Sequence, residues 1–281
     1  MSRERLEKRF AALKAEGRAG FVAYVMAGDP DAETAFQILE GLPAAGADII
    51  ELGFPFSDPM ADGPLIQRAG QRALKGGMTL KGTLELISRF RKGDASTPLI
   101  LMGYLNPIET YGLERFATDA AQAGVDGMIV VDCPPEESAD LEAALGGRGL
   151  SLIRLAAPTT DDARLGVLLK GSSGFVYYVS LTGVTGVKEA DAAAVAPQVE
   201  RIKAATPLPV AVGFGIKTPA RASAVARVAD AVVVGSALVE EIAGGLERNE
   251  SPVPKVLELA RSLAQAVREA RERTSVESEL R

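Results

Sequence analysis

The 281-residue sequence contains no histidine and only one cysteine, Cys133. Without histidine there is no Ser-His-Asp triad, no imidazole base and no His-ligated metal site. One cysteine allows neither an internal disulfide nor a thiolate zinc site, and it fits a reducing cytoplasm. Acid–base chemistry is therefore left to Asp, Glu, Lys and Tyr. No apolar stretch approaches the roughly 20 residues of a membrane span. The N-terminal SRERLEKRFAALKAEG is charged throughout and lacks the apolar segment of a secretory signal. Basic residues are the minority, 31 against 37 acidic for a net charge of −6, which argues against a nucleic-acid partner.

What is present is a repeat of two alternating patterns. Short apolar runs occur at GFVAYVM (20–26), DIIEL (48–52), PLILMGY (98–104), GMIVVD (127–132), SLIRLA (151–156), GFVYYVS (174–180), PVAVGF (209–214) and DAVVVG (230–235). Being apolar without alternation, they read as strands covered on both faces. Segments of helical period lie between them, such as 31–45 with Ala35, Ile38 and Leu39, and 110–123 with Leu113, Phe116 and Ala120. The joints AAGAD, QAGVDG and GRG place glycine just past a helix end, immediately before the next strand. Eight such units in order predict an α/β fold, a single-domain (β/α)8 TIM barrel spanning 1–281; an open doubly wound sheet is the alternative. Residues 2–15 read as an extra N-terminal helix with Leu6, Phe10 and Leu13 on one face, suited to closing the barrel bottom. Residues 253–272 read as a final helix with Val256, Leu259, Leu263 and Val267 inward.

In such a barrel the strand-to-helix loops build the active site. Long loops are expected after the second and sixth strands, the former beginning GFPFSDPMADGP. Glu51 ends the second run, where partial desolvation would raise its pKa into a useful range; the alternative is a rim salt bridge. Asp62 sits in an ADGP turn placed to close over a ligand, whereas Asp58 before Pro59 reads more as a turn former. Three glycine sites, GVTG (183–186), GFG (213–215) and Gly235-Ser236, follow the last three strands, where amide N–H groups and a helix N-terminus can face a phosphate; ordinary turns are the alternative. Tyr104, Asn106, Asp132 and Tyr177 also fall at strand ends, and Tyr24 and Tyr177 can wall a pocket while offering a hydroxyl. Cys133, with no evident cation beside it, reads as a bystander, and Lys188 as a solvated loop residue.

Five of these segments, IELGFPFSDPMADGPLIQRA (50–69), FVAYVMAGDP (21–30), GMIVVDCPPEES (127–138), YYVSLTGVTG (177–186) and VAVGFGI (210–216), resemble the signatures of the tryptophan synthase alpha chain in the order expected of that family. The resemblance covers about residues 5–245. It implies a lyase that cleaves indole-3-glycerol phosphate to indole and glyceraldehyde 3-phosphate without a cofactor of its own. Glu51 then matches the general acid–base residue and Asp62 the residue that binds the indole N–H. Gly186, Gly215, Gly235 and Ser236 match the phosphate site, while Tyr24, Tyr104, Tyr177 and Thr185 are expected at the substrate. The implied partner is a beta chain carrying pyridoxal phosphate, in an αββα assembly contacted through the second-strand loop and residues near 104–110. Some members carry a basic residue where this chain has Leu181. The competing readings are another phosphate-binding barrel of amino-acid biosynthesis, a silent activator of a beta chain, and a stand-alone indole producer.

Overall fold

The computed structural model describes residues 2–180, 192–213 and 215–272. Its strands are β1 (Gly20–Met26), β2 (Ile49–Gly53), β3 (Leu99–Gly103), β4 (Gly127–Val130), β5 (Ser151–Leu152), β6 (Arg154–Ala156), β7 (Val176–Val179), β8 (Val210–Gly213) and β9 (Ala231–Val234). All pair in parallel in the order β5-β4-β3-β2-β1-β9-β8-β7-β6, a nearly closed barrel. The eight expected strand positions are all occupied. The fifth is broken at Ile153: its first half pairs with β4 and its second with β7, so this one strand brings the two ends of the sheet together. The Ile153 N–H still reaches the Met128 carbonyl at 2.9 Å.

Period-2 geometry explains why the strands are apolar on both faces. Val22, Ile49, Ile100, Ile129, Ile153, Phe175, Ala211 and Val233 fill the barrel interior. Alternate residues such as Phe21, Ala23, Ile50, Leu52, Leu99 and Leu101 pack outward against the helices. Helix α1 (Ser2–Ala15) closes the bottom: Leu6, Phe10 and Leu13 join the interior cluster, and the Phe10 ring lies 5.6 Å from that of Phe175.

The strand starts at this end share one device. Asp48 accepts the Phe21 N–H, Asp126 that of Leu99 and Asp230 that of Val210, each at 2.8 Å. Each aspartate thus satisfies an amide at the first or second residue of a neighbouring strand. Each also holds a cation: Arg9 and Arg18 on Asp48, Arg5 and Arg91 on Asp126, Lys203 on Asp230. The glycines of the preceding joints, Gly46, Gly124 and Gly149, have φ of +97°, +94° and +72°, the left-handed conformation read from the sequence.

Helices α2 (Ala32–Gly41), α3 (Pro64–Lys75), α4 (Leu80–Phe90), α5 (Leu105–Tyr111), α6 (Leu113–Ala123), α7 (Ala139–Gly146), α8 (Asp162–Leu169), α9 (Ala192–Ala205), α10 (Pro219–Ala226) and α11 (Ser236–Glu247) complete the outer layer. The wide spacing between the second and third strands is mostly helix, α3 and α4, so the loop proper is only residues 54–63. The loop expected after the sixth strand falls on 181–191, outside the described residues. Helix α12 (Val253–Arg268) ends earlier than residue 272; Val256, Leu263 and Val267 are buried and Leu259 half-buried. Among the described residues no helix is long and apolar enough to cross a membrane.

Candidate active site

Glu51 points into the barrel, one layer above the inward Ile49. Its Cα neighbours across the sheet are Tyr24 on β1 and Ile100 on β3. It is 1% exposed, and its Oε2 has no hydrogen-bond partner. Desolvation pushes its pKa up to about 8, because among the described residues no cation or N–H stands near enough to pull it back. At neutral pH this carboxyl is a proton-bearing acid in an apolar chamber, not the rim salt bridge that was the alternative.

Asp62 reaches the same end of the barrel from the loop after β2. Burial raises its pKa to about 6, and the Tyr104 hydroxyl, bonded to the carboxylate, opposes that rise. Tyr104 follows β3 and also accepts the Ala61 N–H at 3.0 Å. Asp62 N–H closes a turn onto the Pro59 carbonyl (3.1 Å), and the Gln67 side chain donates to the carbonyls of Asp62 (2.9 Å) and Pro59 (3.3 Å). Phe56 lies against Tyr104 with ring centroids 5.3 Å apart.

Buried Tyr24 and Tyr177 complete the chamber. Burial first, then the facing carboxyls, lifts both phenols well above 10: Asp62 and Glu51 act on Tyr24, Glu51 on Tyr177. Both hydroxyls therefore keep their protons. The rings fit only because neighbouring strand ends carry glycine. A side chain at Gly53 would meet the Tyr24 hydroxyl at 2.5 Å, one at Gly235 the Tyr24 ring at 2.9 Å, and one at Gly213 would overlap the Tyr177 hydroxyl.

Gly235 thus has a packing role as well as heading α11, whose N-terminus has no side-chain cap and opens beside half-buried Ser236. Gly215, exposed with φ +71°, lies on the neighbouring loop. First-turn amides of a helix lack carbonyl partners and favour an anion. Thr185, Gly186, Leu181 and Lys188 lie outside the described residues.

Some sequence readings change in the structure. Cys133 does have a cation beside it: Arg154 donates to its carbonyl at 3.2 Å and ion-pairs with Glu142. Burial nevertheless outweighs that charge and raises the thiol pKa, so it stays unreactive. Asp132 accepts the Leu105 N–H at 2.8 Å and so anchors the start of α5, which also contains Asn106. Two residues went unread. Asp29, fully buried at the end of β1, holds Arg72 of α3 through two bonds of 2.7 and 2.9 Å. Gln67 clamps the Asp62 turn. The segments AGDP and PLIQRA contained both, but only the third dimension gives each its partners.

A parallel barrel that gathers desolvated acids and protonated phenols at the C-terminal ends of its strands defines a class, the α/β-barrel enzymes. Comparison with known proteins narrows it. The chain matches the tryptophan synthase alpha chain family over residues 10–268. It is 67% identical to the tryptophan synthase alpha chain of Caulobacter sp. (strain K31) over 271 residues, 96% of this chain and 98% of that one. It is 68% identical to that of Phenylobacterium zucineum (strain HLK1), with the same coverage. Among solved structures, tryptophan synthase subunit alpha from Legionella pneumophila str. Paris superposes with a TM-score of 0.88 at 42% identity, covering 94% of this chain and 98% of that one. Tryptophan synthase from M. tuberculosis in its aminoacrylate-bound form gives 0.83 at 36% identity, covering 94% and 99%. The chain belongs to the tryptophan synthase alpha chain family, an enzyme family of tryptophan biosynthesis, and the family implies a beta-chain partner.

Proposed function

We propose that this chain cleaves indole-3-glycerol phosphate to indole and glyceraldehyde 3-phosphate, with Glu51 as general acid and base and Asp62 as the indole anchor. The observation that carries the reading is the fully buried carboxyl of Glu51, whose Oε2 has no hydrogen-bond partner among the described residues and which keeps its proton near neutrality. Protonated Glu51 delivers its proton to indole C3, and positive charge develops on the ring nitrogen. Ionised Asp62 accepts the indole N–H and stabilises that charge, an interaction stronger in the transition state than in the ground state. The Glu51 carboxylate then takes the proton of the glycerol hydroxyl next to the ring. That O–H pair becomes the aldehyde C=O, the C–C bond breaks, and its electrons restore the neutral indole. Gly215, Gly235 and Ser236, with Gly186, hold the phosphate and so fix the reacting carbon against Glu51. Tyr24, Tyr104 and Tyr177 wall the indole, and Thr185 completes the substrate contacts.

The chemistry is acid–base throughout and needs no cofactor in this chain. Pyridoxal phosphate belongs to the beta chain of a cytoplasmic αββα assembly, which takes up the indole. Met60, 81% exposed at the tip of the 54–63 loop, supports this end of the barrel as the partner face. The test is indole release by wild type and Glu51→Gln, each with and without a beta chain. Loss of activity in the variant and a large rise with partner are expected. Full activity without partner supports a stand-alone indole producer instead, and no activity in any sample removes the lyase reading.

A further inference from the structure

We propose that Gln67 is a positioning residue for Asp62: its carboxamide bridges the two ends of the Pro59–Asp62 turn and transmits the rigidity of α3 to the carboxylate. This rests on the role given to Asp62 above. Packing holds little of the turn, because Met60 and Ala61 are exposed and Pro59 and Asp62 only half-buried. Hydrogen bonds hold it, and three of them come from outside the turn's own backbone. Tyr104 takes the Ala61 N–H, and the single Gln67 Nε2 donates to the carbonyls of both Pro59 and Asp62. The Pro59 carbonyl thus accepts twice, from the Asp62 N–H that closes the turn and from Gln67.

Gln67 is itself anchored. It sits in the first turn of α3, its N–H on the Gly63 carbonyl at 3.0 Å. Five residues further on, Arg72 locks the helix to buried Asp29, and Ala69, Gly70 and Ala73 seat it on the barrel. Two acceptors facing one side chain require a group with two N–H donors and no charge to neutralise, which a carboxamide supplies. Glutamate would place an anion against two carbonyls, and methionine would match the length while offering no donor. Either change releases the turn, lets water reach Asp62 and loosens its aim at the substrate.

The experiment uses the full chain with its beta partner. Gln67→Met and Gln67→Glu are compared with wild type and with Asp62→Asn in indole-3-glycerol phosphate cleavage across pH, and the Asp62 carboxyl is titrated by carbon NMR. A kcat roughly ten- to a hundredfold lower is expected in both variants, since misplacing a contact group by about 1 Å costs on that scale. In Gln67→Met the Asp62 titration and the acid limb of the pH profile should move below the wild-type value of about 6, with the alkaline limb unmoved, whereas in Gln67→Glu the added carboxylate opposes that fall. Two variants guard against simple misfolding, checked by thermal melts. An Asp62 titration that stays at its wild-type value in Gln67→Met overturns the proposal, whatever happens to kcat. Wild type that titrates as described but cleaves nothing removes the lyase reading, while the Gln67 comparison still stands or falls by the titration.

Discussion

Two buried carboxyl groups at opposite ends of the barrel, Asp126 and Glu51, are treated in opposite ways. At the bottom, Asp126 is fully buried, yet the Leu99 N–H, Arg5 and Arg91 all pull against desolvation, and its pKa rises only to about 6. At the top, Glu51 is as deeply buried with no described residue opposing, and it reaches about 8. A carboxylate at the bottom remains charged at neutral pH and ties α1, α4 and the strand starts together. The acid at the top stays neutral and keeps its proton available. The same residue chemistry gives a fastener or a reagent according to whether the surroundings supply cations and N–H donors.

The largest expected effects separate the two ends. Glu51→Gln should lower the rate of indole release by roughly 10³-fold, the scale of a lost general acid–base group, with a thermal midpoint no lower than wild type. Asp126→Asn should do the reverse. Stripping the partner from Arg5, Arg91 and the Leu99 N–H should cost about 3 kcal/mol of stability, read by denaturant melts, with kcat per folded molecule unchanged.

Proton linkage sharpens the contrast. The pH profile of kcat/KM should be a bell: activity needs Asp62 ionised, so it falls below about 6, and Glu51 protonated, so it falls above about 8. Asp62→Asn should abolish the acid limb. For stability the sign follows from the raised folded-state value of Glu51. Below 4.5 the group is protonated in both states and costs nothing. Between 4.5 and about 8 the unfolded chain alone releases the proton, so stability declines by on the order of 1 kcal/mol per pH unit. Melts of Glu51→Gln from pH 5 to 8 should lack this slope.

Smaller effects lie in the walls and on the surface. Gly213→Ala would force the Tyr177 hydroxyl aside, at about 1–3 kcal/mol and with a raised KM for the indole substrate. At the periphery, Lys217→Ala should leave the melting midpoint unchanged, because its 2.7 Å bond to Glu240 joins two half-exposed side chains.

The sequence by itself determined the barrel. Its strands are continuous apolar runs, and the glycine joints at Gly46, Gly124 and Gly149 are local requirements written in local residue types. It also placed Glu51 and Asp62 at strand and loop ends, since polar residues interrupting those runs stand out. The tertiary structure decided what those residues face. That the Glu51 Oε2 has no partner among the described residues, that Arg154 approaches Cys133, that Gly53, Gly213 and Gly235 are seats for tyrosine rings, and that Asp29 holds Arg72 all depend on elements far apart in the chain. The physical reason is range. Propensity, periodicity and backbone conformation act over a few neighbours, whereas desolvation, ion pairing and close packing are fixed only when distant strands close around one another.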